Sequence, residues 1–174
     1  SPSTSEHLHV AFDPTAQTST LLSAPLHFVR ALFGSFEARA DTYLTEFLGF
    51  LGWLDTLLPW WFRAFFLAFL VAVAVWDGDT GIGLSLHKRL IVGLVAAASV
   101  LLIFAINYVM WNTPNNEIIW GVQGRYFIPV APVLFLLLYN QRLRLTAWMK
   151  VGVVIACAGS SLYALLVLIE RFYG

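Results

Sequence analysis

Four apolar stretches, each nearly free of charge, constrain this chain more than any other feature. They run over residues 58–76, 90–111, 120–139 and 149–169. About 20 consecutive apolar residues cross the hydrocarbon core of a bilayer as a helix, and backbone in that medium must satisfy its own hydrogen bonds. The expected fold is therefore all-α: a polytopic helical membrane protein fragment with four predicted spans over 58–174 and an outward-facing N-terminal region over 1–57. Composition agrees. Charged residues make up 11% of the chain and hydrophobic ones 59%, where a soluble domain carries roughly a quarter charged residues.

The spans are unequal. Pro59 suits the opening turn of the first, and Trp60, Trp61 and Trp76 sit at its two ends, where interfacial rings gather. The second, ending at Trp111, is long enough to cross. The third is short if counted from Phe127 to Tyr139 and needs Ile118–Tyr126 to reach spanning length. It is either a tilted helix or a broken one whose first turns pack in protein. The fourth ends at Glu170 and Arg171. Cys157 lies inside it as the single cysteine and reads as a small core residue. Ser160 and Ser161, beside Gly159, read as a small-residue packing face.

Basic residues supply the orientation. His87, Lys88 and Arg89 lie between the first two spans, and Arg142, Arg144 and Lys150 between the last two. Short basic loops stay cytoplasmic. The expectation is a multi-pass protein of the cytoplasmic (inner) membrane, with residues 1–57, the 112–125 loop and the C-terminus extracytoplasmic. Ten basic and ten acidic residues leave no net charge and no basic stripe, which argues against a nucleic-acid partner.

Residues 1–57 are apolar-rich without the polar surface of a soluble domain. His7–Phe12 alternates like a short strand, and Asp13-Pro14 turns the chain. Ser23-Ala24-Pro25 starts a helix. Leu26, Val29, Leu32, Phe33 and Phe36 mark its apolar side, and Arg30, Glu37 and Asp41 its wetter side. The pattern continues to Gly49 and Gly52. Two short amphipathic helices at the outer interface fit it, as does a surface packed against spans outside this chain. The start at Ser1 and the apolar stretch Leu21–Leu58 suggest one part of a larger helical assembly, with upstream spans of the same protein or partner subunits covering it.

Few polar residues interrupt the oil. Asp55 is placed to cap the helix near Leu58 or to pair with Arg63, with substrate contact as the third option. Arg63 lies one turn into its span, where a long stem snorkels outward. Asn107, inside the second span, prefers a hydrogen-bond partner, and another helix can simply supply it. Ser99 can bond its own backbone. The conspicuous cluster is Gln123, Arg125 and Tyr126. Gly121 and Gly124 make the backbone there permissive, and Pro129 and Pro132 weaken the helix that follows. A turn rich in free amides beside a guanidinium suits a phosphate or carboxylate, with Gln123 and Tyr126 contacting hydroxyls. The plainer readings make Arg125 a headgroup anchor or a partner of Glu117 or Asp55.

Gly52-Trp53-Leu54-Asp55 with Pro59, followed by two spans and Gln123-Gly124-Arg125-Tyr126-Phe127-Ile128-Pro129, resembles the C-terminal half of a family of bacterial multi-pass membrane proteins catalogued as domain of unknown function 2142. The resemblance covers the chain from about residue 40 to its end. The family is similar in plan to membrane glycosyltransferases that use polyprenyl-phosphate sugars at the outer face. This implies a catalytic acid in an early outward loop that is not in this chain. Asp55, Gln123, Arg125 and Tyr126 then complete a substrate pocket.

Two classes of function fit. In a glycosyltransferase, a carboxylate deprotonates the acceptor hydroxyl while an arginine or cation stabilises the departing lipid phosphate. A divalent cation would seek oxygen ligands. The sequence shows no cluster of them, so Asp55 and Glu117 are the candidates and cofactor identity stays open. In the alternative, a transporter or assembly subunit handles a lipid-linked cell-envelope polymer without breaking bonds. Membrane lipids are partners in both.

Overall fold

The computed structural model describes residues 14–52, 55–78, 83–113, 116–140 and 142–174. The strand expected at His7–Phe12 and the turn at Asp13 lie outside the described residues. Helix α1 (Pro14–Ser23) leads into α2 (Pro25–Gly49), then a minimal hairpin of β1 (Phe50–Leu51) and β2 (Thr56–Leu57). Helix α3 (Trp60–Trp76), α4 (Leu86–Trp111), a 3-10 helix (Gly124–Phe127), α5 (Ala131–Leu138) and α6 (Ala147–Tyr173) complete the chain.

Two helices, α4 and α6, are long and apolar enough to cross a membrane, while α3 is a shorter apolar helix. Its 17 residues span roughly 26 Å at about 1.5 Å per residue. The third apolar stretch takes the broken form: the 3-10 helix, a turn and an eight-residue α5. Pro129 lies in the turn between them, and Pro132 in the first turn of α5, where its missing N–H costs no helical bond.

Helix boundaries extend past the oil. Helix α4 begins at Leu86, four residues before the apolar stretch, because the Ser85 hydroxyl caps it by accepting from the Lys88 N–H. His87, Lys88 and Arg89 therefore lie in the first helical turn and not in a loop. Likewise Thr146 caps α6, accepting from the Met149 N–H. At the end of α5, the Arg89 guanidinium donates to the carbonyls of Leu137 and Tyr139, both at 2.6 Å. Those are carbonyls that a helix C-terminus leaves unpaired.

The N-terminal region forms one 25-residue helix after Pro25, where two short helices ending near Gly49 were one expectation. Its packed face buries Ala31, Leu32, Ser35 and Tyr43, and Ala31, Leu32 and Tyr43 join Phe104 and Tyr108 of α4 and Ile119 and Val122 of the following loop in a single buried cluster. Leu26 and Phe33 remain 72% and 68% exposed. The helix thus has a partner within the chain on one side and an apolar face on the other.

Polar groups tie this cluster together. Ser35 Oγ donates to the Ala31 carbonyl at 2.6 Å and accepts the Ile119 N–H at 2.7 Å. Asn112 is 1% exposed. Its amide donates to the carbonyls of Asn107 and Trp120, and its Oδ1 accepts the Trp120 N–H at 2.8 Å. Its own carbonyl accepts from the buried Gln17 amide at 2.7 Å. Asn107 finds its partner in its own helix, donating to the Ile103 carbonyl at 2.8 Å. Ser99 does bond its own helix, at Val95.

Helix α6 carries no buried residue. Ser160, Ser161 and Cys157 line a shallow groove facing Phe62 and Phe66 of α3. Cys157 is exposed, which corrects its reading as a core residue: α6 lies at the edge of the bundle.

Candidate functional site

The Gln123–Tyr126 turn is held by α2. Gly124 approaches that helix so closely that a β-carbon would overlap the Tyr43 carbonyl oxygen, with Glu46 and Phe47 also in contact. Only glycine fits such an approach. The Glu46 carboxylate accepts the Gly124 N–H at 2.5 Å. Three residues on, the Phe127 ring packs 6.0 Å from Tyr43 and 6.1 Å from Phe104, centroid to centroid. Glycine, acceptor and ring together explain the spacing of Gly124 and Phe127.

These contacts revise the anion seat. The Gly124 amide is bonded to a carboxylate and the Tyr126 amide to the Gln123 carbonyl, at 3.0 Å. Those two amides are therefore not available to an anion at the turn. Arg125 is half-buried and Tyr126 exposed. Among the described residues, the Arg125 guanidinium has neither a hydrogen-bond nor an ion-pair partner, and the side-chain oxygen of Gln123 is buried without a donor. A free donor group and a free acceptor therefore sit two residues apart in the chain.

The remaining candidates go elsewhere. Asp55 is exposed in the hairpin turn, beside Gly52 and within 3.4 Å of the Thr56 hydroxyl. It does not cap α3, whose N-cap is Pro59 and which has no side-chain cap. Nor does it hold Arg63. That guanidinium donates to Thr45 Oγ1 at 2.8 Å, and its stem lies against Gly49. Arg63 thus ties α3 to α2, where snorkelling was expected. Glu117 meets Gly34 of α2 through its backbone carbonyl.

Two site-lining residues were not singled out from sequence: Glu46 and Arg39. The Arg39 guanidinium lies 5.0 Å above the Trp120 ring and 5.7 Å above the Tyr43 ring. Arg39, Tyr43 and Glu46 follow one another at helical spacing on the same face of α2. That spacing was the available signal, but it does not reveal what the face meets. Burial pushes the Tyr43 phenol above its ordinary value, against the nearby Arg39 charge and with help from Glu46. The hydroxyl itself is buried without a partner among the described residues.

An apolar groove of about 340 Å³ opens beside the turn. Tyr43 and Phe47 of α2, Leu67 of α3, Val100 of α4, and Phe127 and Ala131 line it. Phe127 thus belongs both to the candidate string and to the groove. No group of three His, Cys, Asp or Glu side chains suited to a metal ion occurs among the described residues.

No curated protein and no solved structure matches the chain. The family match runs over residues 2–134, and not from about residue 40 to the end, so it takes in α1 and α2 and stops inside α5. With the match covering most of its length and all four candidate residues, the chain belongs to the family described as "Predicted membrane protein (DUF2142)".

Proposed function

We propose that this chain is part of a membrane glycosyltransferase-like protein that binds a polyprenyl-phosphate sugar at the outer face of the cytoplasmic membrane. One observation carries the reading: the Arg125 guanidinium and the Gln123 oxygen, both without a partner among the described residues, share a turn packed on α2 with Phe127, which lines an apolar groove. A lipid-linked sugar offers the matching chemistry. Its phosphate accepts from a planar guanidinium fork, a sugar hydroxyl donates to an amide oxygen, and its hydrocarbon fits an apolar wall.

In this reading α3, α4, the broken third segment and α6 form the four-span membrane part. The 1–57 region lies outside the membrane, with the exposed face of α2 at the interface. Arg125 steadies the phosphate as the sugar–phosphate bond breaks. The new bond forms to the acceptor oxygen, whose proton passes to a carboxylate. Asp55 and Tyr126 are exposed and contact the acceptor side.

A second reading, a non-enzymatic transporter or assembly subunit for a lipid-linked envelope polymer, is favoured by the state of Glu46. It is the carboxylate held at the turn, and it is engaged by the Gly124 amide. The test is retention and turnover of a polyprenyl-phosphate sugar by the purified protein. Binding that falls at least about tenfold in Arg125→Lys and Gln123→Ala, with melting unchanged, supports the site. Turnover then selects the enzyme, and retention without turnover selects the carrier. Unchanged binding in both variants removes the lipid-phosphate reading.

A further inference from the structure

The opposite ends of α3 and α5 enclose a second cavity, of about 630 Å³. Arg144, Lys150 and Asp77 line its polar part, and Val73, Phe135 and Leu136 part of its apolar wall. The backbone around it is firm. Asp77 and Arg144 form an antiparallel bridge, and the Gly78 N–H donates to the Leu143 carbonyl at 3.1 Å. The chain linking α5 to α6 is thereby fastened to the end of α3. Arg89, with its guanidinium on the α5 carbonyls, is already committed.

We propose that this cavity holds an anionic phospholipid, with its headgroup phosphate on Arg144 and Lys150 and an acyl chain along Val73, Phe135 and Leu136. Three features point to a lipid. Among the described residues that line the cavity, two cations stand with one carboxylate, Asp77, a net positive balance. The two cations share one cavity with apolar wall residues, which a free phosphate would not use. Trp76 and Trp148, 41% and 85% exposed, stand at helix ends next to Asp77 and two residues before Lys150 in the chain, and exposed tryptophans at helix ends mark the headgroup level. Basic pockets between membrane helices bind anionic headgroups on this logic. The site stands apart from the Gln123–Tyr126 turn and does not depend on the function proposed for it.

The purified chain in detergent micelles is mixed with phosphatidylglycerol or phosphatidylcholine, and retained lipid is counted by native mass spectrometry. The expected result is retention of phosphatidylglycerol roughly five- to tenfold above phosphatidylcholine. The preference is lost in the double variant Arg144→Ala, Lys150→Ala and in Lys150→Glu, and kept in Arg142→Ala and Arg125→Lys. Arg144 and Lys150 are exposed, so helix content by circular dichroism stays unchanged. Equal retention of the two lipids by the native chain overturns the proposal. So does an unaltered preference in the double variant, an equal loss in Arg125→Lys, or displacement of the lipid by millimolar inorganic phosphate.

Discussion

The Glu46 carboxylate accepts the Gly124 N–H at 2.5 Å across 78 positions of sequence. That bond, with the contact of Gly124 on the Tyr43 carbonyl, makes α2 the scaffold of the turn that carries Gln123 and Arg125. The turn is positioned by α2 as much as by the apolar helices that follow it.

Gly124→Ala is expected to destabilise the fold by about 2–4 kcal/mol, because the added carbon meets backbone rather than a movable side chain. Gly152→Ala on α6 is the control. Nothing lies within 4 Å of the carbon it would add, so its effect stays below about 1 kcal/mol. Glu46→Gln, which keeps an acceptor, costs less than Glu46→Ala. Thermal unfolding in detergent checks all four, and equal melting of the two glycine variants would remove the close-packing account.

Arg63 and Arg125 differ in kind. Arg63 is bonded to Thr45 and packed on Gly49, so Arg63→Lys is expected to lower stability by about 1–2 kcal/mol. Arg125→Lys leaves melting within about 0.5 kcal/mol and acts on ligand retention. A reversed pattern, with Arg125→Lys unfolding the protein, would make Arg125 a structural group.

Much of this fold is legible in the sequence for a plain reason. Long apolar runs have no stable form in lipid other than helix, so α3, α4 and α6 announce themselves. Their ends do not. Hydropathy reports where oil stops, whereas Ser85 and Thr146 decide where helix starts, and both lie outside the oil. Pro129 and Pro132 signalled the break before α5. The site was half visible: Gln123 and Arg125 stand out against apolar neighbours. Glu46 and Arg39 do not, because on an amphipathic helix they look like any wet side. Which loop such a face meets is a long-range fact that periodicity does not carry. Asn112 is hard to see in the sequence for a similar reason. A lone amide after a span reads as an end, and only the folded loop turns it into a shared acceptor and donor.

Asn112→Ala is expected to cost about 3 kcal/mol or more, since it removes the donor to the Asn107 and Trp120 carbonyls and leaves the Trp120 N–H without its acceptor. Asn112→Asp keeps the acceptor but loses both donor bonds, and falls between. Hydrogen exchange at the Trp120 amide reports the change directly. An Asn112→Ala variant that melts like the native chain would show that water replaces those bonds.

Tyr43 gives an alkaline signature. Burial raises its folded value above the ordinary 10.0, so the unfolded chain ionises first. The stability tied to the neutral phenol is full below the unfolded value and is lost as pH rises through the folded one. Tyr43→Phe lacks this loss. Because the hydroxyl has no partner to forfeit, the variant should match or exceed the native chain by up to about 1 kcal/mol near neutrality. Its advantage should grow as pH is raised past roughly 10. Melting curves on either side of that value test it, and parallel decline of both proteins would refute the assignment.

The last prediction concerns which side is which. Helix α4 has 26 residues, about 39 Å at its ordinary rise, so Ser85 and Glu117 flank it on opposite faces of a bilayer. The Ser85 end gathers Lys88, Arg89, Arg142, Arg144 and Lys150. The Glu117 end gathers the loop that packs on α2. Positive charge near short loops holds them in the cytoplasm. Single cysteines at Ser85 and Glu117, both exposed, in a Cys157→Ala background should therefore divide. An impermeant thiol reagent applied to intact cells labels the one at Glu117 and spares the one at Ser85 until the membrane is opened. Labelling of both from outside would deny that α4 crosses. Labelling of Ser85 alone would invert the protein, place the Gln123–Tyr126 turn in the cytoplasm, and with it exclude a lipid-linked sugar presented at the outer face.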